Sequence, residues 1–140
     1  MGMFGRNREE NIFIAYPLNF TGPAPYMKAF EGSGFGVVFE DDGETGYFYA
    51  TNERLDEILD ALHLYNVGDP VQLKPGDEVF IVWNPALRKA GIFYHNQFQA
   101  IVDFKRRCAC CRTGFPPRIH TGWCQSAHEW DESLVKGLEP

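Results

Sequence analysis

Long apolar runs are missing from this chain. No stretch approaches the roughly 20 residues that a membrane-spanning helix needs. The opening MGMFGRNREE is polar and charged, without the apolar segment of a secretory leader. Gly2 follows Met1, but Arg6 stands where an N-terminal acylation signal has Ser or Thr. A glycine-rich phosphate loop, a paired-histidine metalloprotease helix and a nucleophile elbow are missing too, so no local motif dictates a reaction. Basic charge is scarce: 13 Lys and Arg stand against 19 Asp and Glu, a formal charge of −6. That balance disfavours general nucleic-acid binding and suits a basic partner. The expected compartment is the cytoplasm, with no membrane association. There the four cysteines are expected as reduced thiols or metal ligands rather than structural disulfides.

What is present reads as a folded globule. Apolar residues make up 44% of the 140 and aromatics 15%, enough for a sizeable core in one domain spanning residues 1–140, with 1–11 as a loose lead-in. The best-defined stretch is residues 34–51, GFGVVFEDDGETGYFYAT. Two strand-forming ends rich in Val, Phe and Tyr flank Asp41-Asp42-Gly43-Glu44-Thr45-Gly46, residues that let a backbone reverse. Alternation along this hairpin puts Phe35, Val37 and Phe39 on one face and Val38 on the other. A helix is expected next, over residues 52–65: Thr51 or Asn52 as cap, Glu53 in the first turn, and Leu55, Ile58, Leu59 and Leu62 at helical spacing.

Strands are expected at residues 12–16 (stopped by Pro17), 78–83, 90–95 and 98–104, the last three as an antiparallel meander. Residues 18–34, with Pro23 and Pro25, read as an irregular connection, and 71–73 as a short extended piece. Residues 105–120 read as a basic loop. Residues 122–134 read as a C-terminal helix with Trp123, Ala127, Trp130 and Leu134 on one face. The expected fold class is α+β: a mostly antiparallel sheet of about five or six strands, packed by one central and one C-terminal helix.

Two constellations carry candidate chemistry. Cys108, Cys111, Cys124 and His128 form C-x2-C-x12-C-x3-H, a spacing that zinc can close tetrahedrally. Cys110 competes within that pattern. Arg106, Arg107 and Arg112 crowd the same thiols and His120 or His128 offers a base, the ingredients of an activated cysteine. Elsewhere the charge is blocked. Residues 39–60 hold eight acids against Arg54 alone, and residues 88–118 hold seven bases against Asp103 alone. Asp41, Asp42, Glu44, Asp56, Glu57 and Asp60 are the expected partner-binding acids.

Taken together, FEDDGETGYFYA at residues 39–50, ILDALHLYNV at 58–67 and CRTGFPP at 111–117 resemble a small bacterial protein family of unknown function. That resemblance implies a cytosolic bacterial α+β domain and assigns no catalytic residue. In general character the chain also resembles the small acidic immunity proteins that neutralise bacterial toxins. The reading favoured here is a non-enzymatic binding protein, an immunity-type inhibitor meeting a basic toxin domain. A zinc-stabilised module and a thiol-dependent enzyme are the alternatives.

Overall fold

The structure is a computed structural model that describes residues 12–21, 26–32, 34–117 and 122–139. The lead-in expected over residues 1–11 and the candidate base His120 lie outside them. The hairpin forms as β3 (Phe35–Asp41) and β4 (Thr45–Thr51). Its turn is closed by Asp42, whose Oδ1 accepts from the backbone N–H groups of Glu44 at 2.9 Å and Thr45 at 2.8 Å. Gly43 supplies the positive φ, +94°. Phe35, Val37 and Phe39 are buried and Val38 is half-buried, as the alternation requires.

The α+β expectation fails immediately after the hairpin. β4 leads through residues 52–57 into another strand, β5 (Ile58–Asn66), which pairs with β4 from Thr45↔Asn66 to Thr51↔Ile58. The expected leucine face is therefore broken up. Leu62 is fully buried, Leu55 and Leu59 are half-buried, and Ile58 is 51% exposed. The same segment also alternates, with Asp60, Leu62 and Leu64 buried. The free edge of β4 offers a row of N–H and C=O groups that only a neighbouring strand satisfies, and that requirement outweighs a helical leucine spacing.

Among the described residues, nine strands rather than five or six make two antiparallel sheets: β2 (Tyr26–Gly32), β3, β4 and β5 in that order, and β1 (Ile14–Asn19), β6 (Glu78–Asn84), β7 (Lys89–Tyr94), β8 (Gln97–Asp103) and β9 (Cys108–Cys111) in that order. β2 (Tyr26–Gly32) and part of β1 (Ile14–Asn19) occupy the segment read as irregular. Pro17 lies inside β1, opposite Phe80. It is tolerated there because β1 is an edge strand and the missing donor costs no ladder bond on the open side. The meander is present as β6 (Glu78–Asn84), β7 (Lys89–Tyr94) and β8 (Gln97–Asp103), and the basic loop contains a short edge strand, β9 (Cys108–Cys111).

The sheets pack face to face. Phe35 stacks on Trp83 at 4.4 Å and on Phe104 at 4.3 Å, and Val37, Phe39, Phe48 and Leu62 meet Ile81, Ile92 and Val102 in one core. The other face of the five-stranded sheet carries a second core, in which Val82, Phe98, Ile101 and Cys110 lie under Leu134, Val135 and Leu138.

The covering segment is not the expected helix. Only Glu132–Val135 is helical, a 3₁₀ turn capped by the Asp131 carboxylate. Upstream, the backbone bonds outward: Gln125 N–H donates to the Arg107 carbonyl at 2.7 Å, and the His128 carbonyl accepts from Cys111 N–H at 3.1 Å. Ser126, His128 and Trp130 are weaker helix formers, so this docking wins over local helicity. Ala127 accordingly points to solvent while Leu134 is buried.

Candidate functional site

Of the three thiols and one histidine expected to hold zinc, the fold brings together Cys124 and His128 and adds Asp60. One ligand-type atom from each of Asp60, Cys124 and His128 lies within 4.8 Å of the others, and all three residues are buried. Asp60 comes from β5, where it faces inward opposite Ala50. Cys124 and His128 come from the irregular strap that precedes the 3₁₀ turn. Alternation along β9 separates the remaining cysteines: Cys111 joins the core between the sheets, while Cys108 and Cys110 join the second core. The Cys111 sulfur lies 3.5 Å from Thr113 Oγ1 and from the Phe115 carbonyl oxygen.

His128 is gripped from both sides. Nε2 is 2.9 Å from both Asp60 carboxylate oxygens, and Nδ1 meets the Pro116 carbonyl oxygen. A carbonyl oxygen only accepts, so Nδ1 carries a proton, and Nε2 donates to the carboxylate. The ring is therefore an imidazolium paired with a carboxylate, both side chains 0% exposed. Burial alone would pull the imidazole down. The Asp60 hydrogen bond, then the Cys124 contact, the Asp60 charge and the Pro116 carbonyl outweigh it and hold His128 up to about 10. The Cys124 sulfur also lies 3.0 Å from the Ser126 carbonyl oxygen.

Two of the three arginines around Cys108–Cys111 are otherwise engaged, while Arg106 remains beside Cys108. Arg112 lies over the Trp130 ring at 3.6 Å and donates from Nε to the Phe98 carbonyl at 2.9 Å; Arg107 Nε donates to the Trp123 carbonyl at 3.0 Å. Burial pushes the Cys108 thiol up, and the Cys110 thiol up to about 12. Both shifts run against a thiolate at Cys108 and Cys110.

The six expected partner-binding acids divide. Asp41 and Asp60 are buried, at 3% and 0% exposure. Asp41 accepts a 2.7 Å hydrogen bond from the Tyr65 hydroxyl and one of 2.9 Å from Gly43 N–H. Asp42, Glu44, Asp56 and Glu57 are exposed. Asp42 and Glu44 sit in the β3–β4 turn, and Asp56 and Glu57 in the β4–β5 loop. The seven residues of β4 separate the two pairs by roughly 20 Å.

Sequence reasoning did not single out the outer face of the four-stranded sheet. Registers place Met27, Glu40, Tyr47 and His63 in one cross-strand row and Ala29, Val38, Tyr49 and Ala61 in the next. Tyr47 stacks on Tyr49 at 5.7 Å and meets His63 edge-on at 5.4 Å, and His63 meets Phe115 at 5.8 Å. The Tyr49 hydroxyl donates to Glu40 Oε1 at 3.1 Å. Met27 and Phe115 are 64% and 53% exposed. The available signal was the alternation itself, which sends Tyr47 and Tyr49 to the face opposite Phe48.

Fold and site define an all-β sandwich with a buried Asp–Cys–His cluster and an open aromatic face. Residues 22–139 match the family described as an uncharacterized protein conserved in bacteria (DUF2251), and the chain belongs to that family. A Haemophilus influenzae protein described as uncharacterized is 35% identical over 118 residues, covering 82% of this chain and 70% of the relative. No solved structure matches. No helix among the described residues is long and apolar enough to cross a membrane.

Proposed function

We propose that this protein is a non-enzymatic binding protein of the bacterial cytoplasm, an immunity-type inhibitor. On this reading it receives a cationic segment of a toxin domain on the outer face of the four-stranded sheet. The observation that carries the reading is Glu40, a half-buried carboxylate set beside the Tyr47 and Tyr49 rings and braced by the Tyr49 hydroxyl. A carboxylate framed by aromatic rings suits a Lys or Arg side chain, which gains from both the charge and the ring faces. Asp42 and Glu44, in the turn two to four residues beyond Glu40, extend the negative potential toward the same partner. Exposed Met27 and Phe115 supply apolar area at the two ends of the row.

The test is association with an Arg-rich peptide and with a toxin domain encoded beside the gene. Neutralising Asp42 and Glu44 together (Asp42→Asn, Glu44→Gln) should slow association on the order of tenfold and flatten its salt dependence. Tyr47→Ala should weaken binding by about 2 kcal/mol, mainly through dissociation. The pair Asp56→Asn and Glu57→Gln, at the far end of the sheet, should change neither. Binding that ignores Tyr47→Ala but depends on Asp56 and Glu57 would move the surface to the other end of the sandwich. Binding that depends on none of them would end the reading.

A further inference from the structure

We propose that Asp60, Cys124 and His128 form a binding site for a divalent transition metal of the zinc class. The donor set is one thiolate, one imidazole and one carboxylate, which suits zinc and excludes the all-oxygen preference of magnesium and calcium. The three donor atoms lie within 4.8 Å of one another, and an ion enters as Nε2 and the Asp60 carboxylate, now 2.9 Å apart, part slightly and Cys124 closes in.

The surroundings of His128 supply an independent argument. A metal-bound histidine usually donates its second ring N–H to a carbonyl or carboxylate, which fixes the tautomer and aims the ligand nitrogen. Nδ1 of His128 already donates to the Pro116 carbonyl, so Nε2 is the nitrogen left for a metal. Nε2 is also the atom that faces Asp60, 2.9 Å from each carboxylate oxygen.

Charge balances as well. The cluster is fully buried, and a divalent ion with one thiolate, one carboxylate and a neutral imidazole has no net charge to desolvate. The ion takes the place of the hydrogen bond that now joins His128 Nε2 to Asp60. This set replaces the C-x2-C pair suggested by spacing, because alternation along β9 sends Cys108 to the second core while the Cys111 sulfur sits against Thr113 and Phe115.

The experiment is elemental analysis of protein purified without chelator, followed by cobalt(II) titration of chelator-stripped protein. The expected result is about one zinc per chain. Cobalt should give a thiolate-to-cobalt absorption band in the near ultraviolet that zinc(II) then bleaches. The band should persist in Cys108→Ser and disappear in Cys124→Ser, with circular dichroism confirming that both variants fold. Metal-free protein with no cobalt band would overturn the proposal. So would a band that survives Cys124→Ser or vanishes in Cys108→Ser. Should Cys124→Ser fail to fold, the stoichiometry, the wild-type band and its response to Cys108→Ser still decide.

Discussion

Cys110 has no accessible surface, and burial pushes its thiol up to about 12. At pH 8 the shift leaves very little of Cys110 as thiolate, the species that alkylating reagents attack. Cys111 is equally buried, while Cys108 is half-buried. Native protein treated with iodoacetamide and mapped by mass spectrometry should therefore be modified first at Cys108. Cys110 and Cys111 should react only as fast as the molecule opens. Labelling of Cys110 at the pace of Cys108 would mean that the second core does not close over β9. At this scale the sequence was half-legible. Cys124 and His128 announce themselves by spacing, whereas Asp60 lies 68 residues from His128 and looked like one more acid of a charged surface. Nothing local distinguishes a carboxylate that will be buried against an imidazolium from one that will stay in water. Only the packing of β5 against the strap makes the difference.

The elements that could be read are those whose information is local. The β3–β4 turn needs Asp42 to catch two backbone donors and Gly43 to take a positive φ, and both requirements are visible in six residues. The β5 error has the opposite origin. Leu55, Ile58, Leu59 and Leu62 fit a helix, Leu62 and Leu64 fit a strand, and what decides is the open edge of a partner strand. One glycine in that pairing shows how tight it is. A Cβ placed on Gly46 would run into the Tyr65 ring, and the Tyr65 hydroxyl is fixed to buried Asp41 at 2.7 Å. The ring cannot retreat without breaking that bond. Gly46→Ala should therefore cost about 1–3 kcal/mol in urea unfolding, as overpacking does. Gly68→Ala is a useful contrast: no atom lies within 4 Å of its Cβ, so any cost there comes from its positive φ alone. Equal unfolding midpoints for Gly46→Ala and wild type would show that the β4–β5 register is looser than described.

On the scale of the whole molecule, the chain builds three layers: the four-stranded sheet, the five-stranded sheet, and the strap with its 3₁₀ turn. Apolar contacts of Leu134, Val135 and Leu138 hold the third layer, and polar staples fix its path. Lys89, at the start of β7, donates from Nζ to the carbonyls of Leu134 at 3.2 Å and Lys136 at 2.8 Å; Asn84 Nδ2 donates to the Gly137 carbonyl at 2.7 Å. Burial pulls the Lys89 ammonium below its ordinary pKa, with Asp103 opposing that pull. Lys89→Met keeps most of the stem's packing and removes both donors. An unsatisfied buried carbonyl costs about 1–3 kcal/mol. These bonds join Asn84 and Lys89 to the strap, so the loss should fall there. The Leu138 amide, which donates to Val135 at 2.9 Å, should exchange with solvent about ten- to a hundredfold faster in Lys89→Met. Amides paired between β3 and β4, such as those around Phe39↔Phe48, should keep their protection apart from the small change in global stability. If hairpin and strap amides instead lose protection by the same factor, the strap opens only when the sandwich itself unfolds, and the third layer is part of a single cooperative unit.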